Sequence, residues 1–297
     1  MLVKIRMIRF LFALLVACLC RAGTAMPLPE IVEFDSLEEG RPTRLKGLLF
    51  KPAPSALKAP APGLVLAHGC SGMYDAAGNL SRGIRFWSEQ FARGGFVVLA
   101  VDSFNPRGHR EICTHQDRPI LESRERPVDA YGALRYLAAQ AFVQKERVFL
   151  MGFSNGATGT LYAVDPTGKA YQRARDSGIS FRAAIALYPG CTGAERRGFI
   201  PAIPTLILIG ALDDWTPPKP CEKLIENARA GGVDAMIHLY PDAYHGFDVP
   251  GSKVRVRTDV RMRNSPNLER GVHVGGNDAA REAAVRDVDA FLRRNLK

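Results

Sequence analysis

A serine between small residues, then an aspartate, then a histidine, in that order along the chain, are the groups that could carry out acyl transfer. The apolar run Arg147-Val148-Phe149-Leu150-Met151 breaks into Gly152-Phe153-Ser154-Asn155-Gly156, and helix-compatible residues follow from Ala157 to Val164. Gly-x-Ser-x-Gly between a buried strand and a helix predicts a tight turn that lifts the serine hydroxyl out of the sheet edge. Its neighbours must be small because the two backbones pass close to a strained nucleophile. A serine hydroxyl is a weak nucleophile at its ordinary pKa, so an imidazole must take its proton and an acid must orient the imidazole. Both follow. Pro204 to Gly210 reads as a buried strand ending in Ala211-Leu212-Asp213-Asp214-Trp215-Thr216-Pro217, and Ala235 to Tyr240 as a strand ending in Pro241-Asp242-Ala243-Tyr244-His245-Gly246. Asp213 and His245 therefore lie just past the carboxyl ends of strands, where open α/β sheets bind ligands. Ser154, Asp213 and His245 are the expected catalytic set.

Other residues compete for these roles. Asp214 is the alternative acid, and otherwise a cap for a helix starting near Pro218. His238 falls mid-strand and reads as a packed or edge histidine, while His109, His115 and His273 lie in polar, solvated loops. The oxyanion formed on attack needs N–H donors. One is the backbone of Asn155, directly after the nucleophile; the other is expected from Cys70, in the loop that ends the strand Gly63-Leu64-Val65-Leu66-Ala67. His68, which opens that loop, precedes the serine in the chain and reads as structural.

The elements that must position these groups follow from apolar periodicity. Strands are predicted near 31–36, 44–50, 63–68, 96–102, 147–151, 183–188, 204–210 and 235–240, with helices near 79–94, 127–140, 155–165, 219–231 and 278–296. Helices between the later strands supply the crossovers that parallel pairing requires. The fold class is α/β, a mostly parallel central sheet of about eight strands with helices on both faces. No repeat or linker divides the chain, so residues 26–297 are expected to form a single domain. The lack of a long insertion predicts an open site.

Taken together, these motifs resemble the α/β-hydrolases and, more narrowly, the dienelactone hydrolase family. The matching pieces are His68-Gly69-Cys70, Asp102-Ser103-Phe104-Asn105-Pro106-Arg107-Gly108, Gly152-Phe153-Ser154-Asn155-Gly156, Asp213 to Pro217, and Tyr240 to Asp248; they reach from about residue 40 to the C-terminus. Two departures matter. The founding enzymes use a cysteine nucleophile where this chain has Ser154, and they carry an activating glutamate where it has Ala67-His68-Gly69. The resemblance thus implies a serine esterase or lactonase of small esters, not an enzyme for dienelactone itself. A serine peptidase of the prolyl-oligopeptidase type shares the serine turn, but the propeller or helical lid usual there is not encoded. A non-catalytic exported binding protein would have no reason to keep all three residues. Neither a cofactor nor a metal site is expected.

The N-terminus bears on location. Lys4, Arg6 and Arg9 precede an apolar stretch from Phe10 to Leu19, then Ala22-Gly23-Thr24-Ala25. Charged, apolar, then small residues describe a secretory signal peptide over residues 1–25, too short in its apolar part to span a membrane. Leu15-Val16-Ala17-Cys18 also fits a lipobox, which would leave a lipid anchor on Cys18. Past the signal stand Cys70, Cys113, Cys191 and Cys221, an even number suited to an oxidising compartment such as the periplasm. Three pairings are open. Cys191–Cys221 with Cys70–Cys113 is favoured because Cys191 and Cys221 follow adjacent strands; four free thiols are the alternative. Removing Lys4, Arg6, Arg9 and Arg21 takes the net charge from +10 to +6. The basic run from Lys253 to Arg270 has no interleaved aromatics, which argues against single-stranded nucleic acid. It reads as a solvated loop, or as a rim that draws anionic substrates. Arg107 and Trp215 are candidate substrate contacts, with Arg107 placed to hold a substrate carboxylate.

Overall fold

Alternating apolar side chains build a sheet buried on both faces. The computed structural model describes residues 27–297 apart from 54–59 and 262–269; the expected signal peptide and Cys18 lie outside the described residues. The strands of the main sheet are β1 (Glu30–Asp35), β2 (Arg44–Phe50), β3 (Ala61–Ala67), β4 (Val97–Asp102), β5 (Val143–Phe153), β6 (Ala184–Leu187), β7 (Thr205–Gly210) and β8 (Ala235–Tyr240). Their spatial order is β1-β2-β4-β3-β5-β6-β7-β8. β1, β2 and β4 pair antiparallel, and every pair from β4–β3 to β7–β8 is parallel. This is the mostly parallel α/β sheet expected from the sequence.

Period-two alternation sends neighbouring side chains to opposite layers. In β3, Leu64 and Leu66 join one core and Val65 the other; in β5, Phe149 and Met151 join the first and Val148 and Leu150 the second. Against the first core pack α1 (Arg82–Arg93), through Ile84, Trp87 and Phe91, and the C-terminal helix, through Val288, Phe291 and Leu292. Against the second packs α2 (Glu125–Ala138), through Tyr131, Leu134 and Leu137. The remaining helices are α3 (Asn155–Ala163), α4 (Lys169–Asp176), α5 (Thr192–Arg196) and α6 (Lys219–Ala230), with α7 (Asp278–Asn295) last. α4 and α5 are short and carried no apolar repeat strong enough to read from sequence.

One expectation needs correction. The basic run after Lys253 is not a solvated loop: its described parts form two antiparallel strands, β9 (Arg255–Arg261) and β10 (Arg270–Val274). Val260 and Val272 are buried in a small third core with Phe104, Ile112, Trp215 and Cys113. Val256, within Arg255-Val256-Arg257, stays half exposed, while Arg257 and Arg255 stand opposite Val272 and Val274, so charged and apolar residues share a face and the buried valines were hidden by the charge. The hairpin reaches over the carboxyl ends of the sheet, so the site is less open than expected.

Candidate active site

Ser154 occupies the turn between β5 and α3 with a positive φ of 50°. A non-glycine residue holds that conformation only when its surroundings over-determine it. Here the Ser154 N–H donates to Leu187 O at 2.9 Å, and Ser154 O accepts from Thr158 N at 2.9 Å. The flanking glycines are dictated by space. A Cβ on Gly152 would lie 2.3 Å from Gly156 O, and one on Gly156 would lie 2.1 Å from Ala67 O.

His245 and Asp213 come to the same point from the ends of β8 and β7. With a proton on His245 Nδ1, Ser154 Oγ donates to Nε2 at 2.8 Å and Nδ1 donates to Asp213 Oδ2 at 2.8 Å. Asp213 is 3 % exposed and His245 4 %. The other Asp213 oxygen accepts from Trp215 N at 3.0 Å and Thr216 N at 2.8 Å, so the turn's own N–H groups hold the carboxylate in place. The imidazole lies between Tyr188 and Trp215, with ring centroids 4.6 and 4.8 Å away.

The oxyanion candidates flank this row. Asn155 is the first residue of α3, where helical geometry offers its N–H no acceptor. The loop with Cys70 runs close to Ser154: a Cβ on Gly69 would lie 3.4 Å from Ser154 Cβ. Cys70 is bonded to Cys113, and Cys191 to Cys221, with Cα–Cα distances of 4.9 and 5.1 Å. His68 sits behind the loop. Its Nδ1 donates to Gly69 O at 2.8 Å, and its Nε2 accepts from Ser103 N at 3.3 Å. Burial, with the nearby Arg126 charge, holds its pKa well below the ordinary histidine value, so it is a neutral prop. Arg126, itself buried, donates to His68 O, and burial pulls its pKa down to about 10.

Two assignments from sequence are corrected. Arg107 does not face the cleft. Its guanidinium donates to both oxygens of buried Asp129 at 2.8 and 2.9 Å, to Glu38 at 3.0 Å and to Ser103 O at 2.8 Å. Those four bonds use all four Nη hydrogens and make it a clamp between the β4 loop and α2, so the paired end of its guanidinium fork is not offered to a substrate carboxylate. Asp214 does not cap α6, whose N-terminus has no side-chain cap. It accepts from His273 N at 2.9 Å and pairs with His273 Nδ1 at 2.6 Å, tying β10 to the Asp213 turn. His273 is correspondingly not a free loop histidine; it stacks on Tyr244 with centroids 5.0 Å apart. The second tie is Gly275 N–H to His245 O at 3.0 Å.

The serine opens into a cleft of about 410 Å³ lined by Cys70, Ile84, Trp215, His245, Val249 and Val274, with Arg82, Arg255 and Arg257 at its edge. A second hollow of about 190 Å³ adjoins Ser154 and Trp215 on the Asn155 side. Trp215 therefore faces both.

A model of the dienelactone hydrolase family matches residues 45–296. The chain belongs to the dienelactone hydrolase family. Membership makes it a hydrolase acting on ester bonds. Among curated proteins, none matches the chain. Solved structures share the fold. A putative dienelactone hydrolase from Klebsiella pneumoniae is 18 % identical, with 90 % of this chain and 99 % of that one covered and a TM-score of 0.59. Propionate-bound esterase 2 of Thermogutta terrifontis is 20 % identical, covering 91 % and 95 %, with a TM-score of 0.60. Dipeptidyl peptidase 4 of Porphyromonas gingivalis is 17 % identical over 74 % of this chain but 33 % of its own, with a TM-score of 0.55.

Within this family framework, several site residues escaped the sequence reading. Thr216 Oγ1 lies 3.0 Å from Asp213 Oδ2 and 3.2 Å from His245 Nδ1. Buried Asp248 accepts from Trp87 Nε1 and Tyr188 Oη, each at 2.7 Å, and burial raises its pKa. Tyr188, like Ser154, has a positive φ, at 43°. Its place at the end of β6 before Pro189-Gly190 was the one available signal. The pairing of Asp248 with Trp87, 161 positions away, has no local signature.

Proposed function

We propose that this protein is a serine hydrolase of small esters that works through a Ser154–His245–Asp213 triad and an acyl-enzyme. The observation that carries this is the unbroken hydrogen-bonded row from Ser154 Oγ through His245 to Asp213, two contacts of 2.8 Å, at the floor of a cleft. His245 Nε2 takes the Ser154 proton as Oγ adds to the ester carbonyl. Asp213 fixes the tautomer and steadies the imidazolium that results. The N–H groups of Asn155 and Cys70 donate to the oxyanion. His245 then passes its proton to the leaving alcohol, and the same imidazole activates the water that cleaves the acyl-enzyme. No step calls for a cofactor or a metal.

Arg82 and Arg255 at the cleft edge favour an ester whose alcohol side carries a negative charge, since neither has an ion-pair partner among the described residues. Arg257, by contrast, is paired with Asp259 and lies over Trp215. The likeness to the peptidase carries the fold alone, so ester hydrolysis is the reading kept. The two disulfides and the charged, apolar, small pattern before Met26 support export, either as a soluble periplasmic or secreted domain of residues 26–297 or as a lipoprotein anchored through Cys18. No helix among the described residues is long and apolar enough to cross a membrane.

Hydrolysis of nitrophenyl butanoate tests the reading. Ser154→Ala should lower turnover by about 10⁴- to 10⁶-fold, with His245→Ala falling into the same range because the two act as a unit. Wild-type turnover in the Ser154→Ala protein would end the proposal.

A further inference from the structure

Ser154 stands between two hollows, and a triad alone explains only one of them. His245 lines the larger cleft but not the smaller hollow, which is lined by Glu122, Asn155, Thr158, Tyr162, Thr192 and Trp215. That division assigns the two halves of an ester. The leaving oxygen must come within hydrogen-bond reach of the imidazole that protonates it, so the alcohol half belongs in the larger cleft. The acyl half then lies on the other side of Ser154, toward Asn155.

We propose that the smaller hollow is the acyl pocket and that it selects a short acyl chain bearing a neutral hydroxyl group. This inference rests on the serine-esterase reading. Size favours a short chain: at about 190 Å³ the smaller hollow has less than half the volume of the larger cleft, about 410 Å³. Polarity sets the chemistry. Tyr162 Oη accepts from Arg197 Nη1 at 2.9 Å, which leaves its own proton to be donated. The Thr192 hydroxyl has no partner among the described residues and offers both a donor and an acceptor. Glu122 accepts from Asn155 Nδ2 at 2.7 Å and from Arg118 at 2.8 Å, so its charge is balanced while carboxylate lone pairs remain. A hydroxyl group, both donor and acceptor, complements this mixed set. A plain hydrocarbon chain would strip water from these groups and return no hydrogen bond. The Arg118–Glu122 pair leaves no unbalanced charge to call for an ionised acyl group.

The experiment compares kcat/KM for nitrophenyl esters of 3-hydroxybutanoate, butanoate and octanoate, which share one leaving group. The 3-hydroxybutanoate ester should exceed butanoate by about tenfold, the scale of one net hydrogen bond, and octanoate should fall at least about tenfold below butanoate. In a Thr192→Val, Tyr162→Phe double variant, shown to be folded by thermal unfolding, the hydroxyl preference should shrink to near unity. Should that variant fail to fold, the wild-type series still decides the matter. Octanoate cleaved as well as butanoate would place the acyl chain elsewhere, and equal rates for the hydroxylated and plain esters would remove the polar selectivity. If butanoate is cleaved with no such preference, this inference alone falls. If no ester is cleaved and Ser154 is unreactive, the esterase reading falls and takes this one with it.

Discussion

The positive φ of Ser154 is a local cost, of order 1–3 kcal/mol for a non-glycine residue in a sparsely populated region. The packing of Gly152 and Gly156 against neighbouring backbone keeps it in place, and the return is a hydroxyl aimed at His245 Nε2. Asp213 and Asp214, adjacent in sequence, are separated by environment. Asp213 is buried and held by two N–H groups of its own turn, whereas Asp214 points the other way, to His273. Asp213→Asn should therefore cut turnover by at least about a hundredfold through loss of the correct His245 tautomer. Ester kinetics in which Asp214→Asn shows that loss and Asp213→Asn does not would reverse the assignment. That Ser154, His245 and Asp213 meet was legible because each has a type and a chain position that the proposed reaction demands. Arg107 was misread because a sequence shows that a guanidinium exists, not that Asp129 and Glu38 already occupy it.

At the scale of elements, the β9–β10 hairpin couples the cleft to the turns that hold Asp213 and His245. The Asp214–His273 pair and the Gly275 to His245 hydrogen bond are its ties, and Arg255, Arg257 and Val274 line the cleft from it. Asp214→Asn should loosen the hairpin, raising KM severalfold with little change in kcat, and amide exchange over 270–274 should quicken. A fall in kcat at constant KM would contradict this arrangement. The eight strands of the main sheet were readable to within a few residues: β3, β4, β6 and β7 are apolar runs buried on both faces, and the edge strands, though partly exposed, keep enough apolar residues to stand out. The hairpin was not, because its buried residues, Val260 and Val272, are isolated valines with no apolar run around them and its partners, Trp215 and Phe104, come from distant loops.

At the scale of the whole molecule, the Cys191–Cys221 link closes a segment with a sequence separation of 30 that contains the Asp213 turn. In the chain-entropy model such a closure stabilises by about 3–4 kcal/mol, roughly 6–16 °C in Tm for a chain of this size. A Cys191→Ala, Cys221→Ala protein should melt lower by that amount and lose turnover as well. An unchanged melting point would show that packing alone holds the turn. Acid should destabilise the fold through His68. Its folded pKa is depressed by burial below the ordinary value of 6.5, so below about pH 6.5 the unfolded chain binds a proton that the folded chain does not. Stability therefore falls as pH drops through that window, with a slope approaching about 1.4 kcal/mol per pH unit for one proton. Asp129 and Asp248, whose pKa values burial raises, act with the opposite sign just above the ordinary aspartate range. The difference between wild type and His68→Gln in urea midpoints from pH 5 to 7 isolates the histidine. Parallel curves would rule out that contribution.

The central claim is that Ser154 is the residue acylated by substrate. An organophosphorus probe, which reacts with an activated serine hydroxyl, is the direct test. Mature protein treated with a fluorophosphonate should gain the mass of one adduct, peptide mapping should place it on Ser154, and Ser154→Ala should stay unlabelled. An adduct on another residue, or full labelling of the Ser154→Ala protein, would contradict the account.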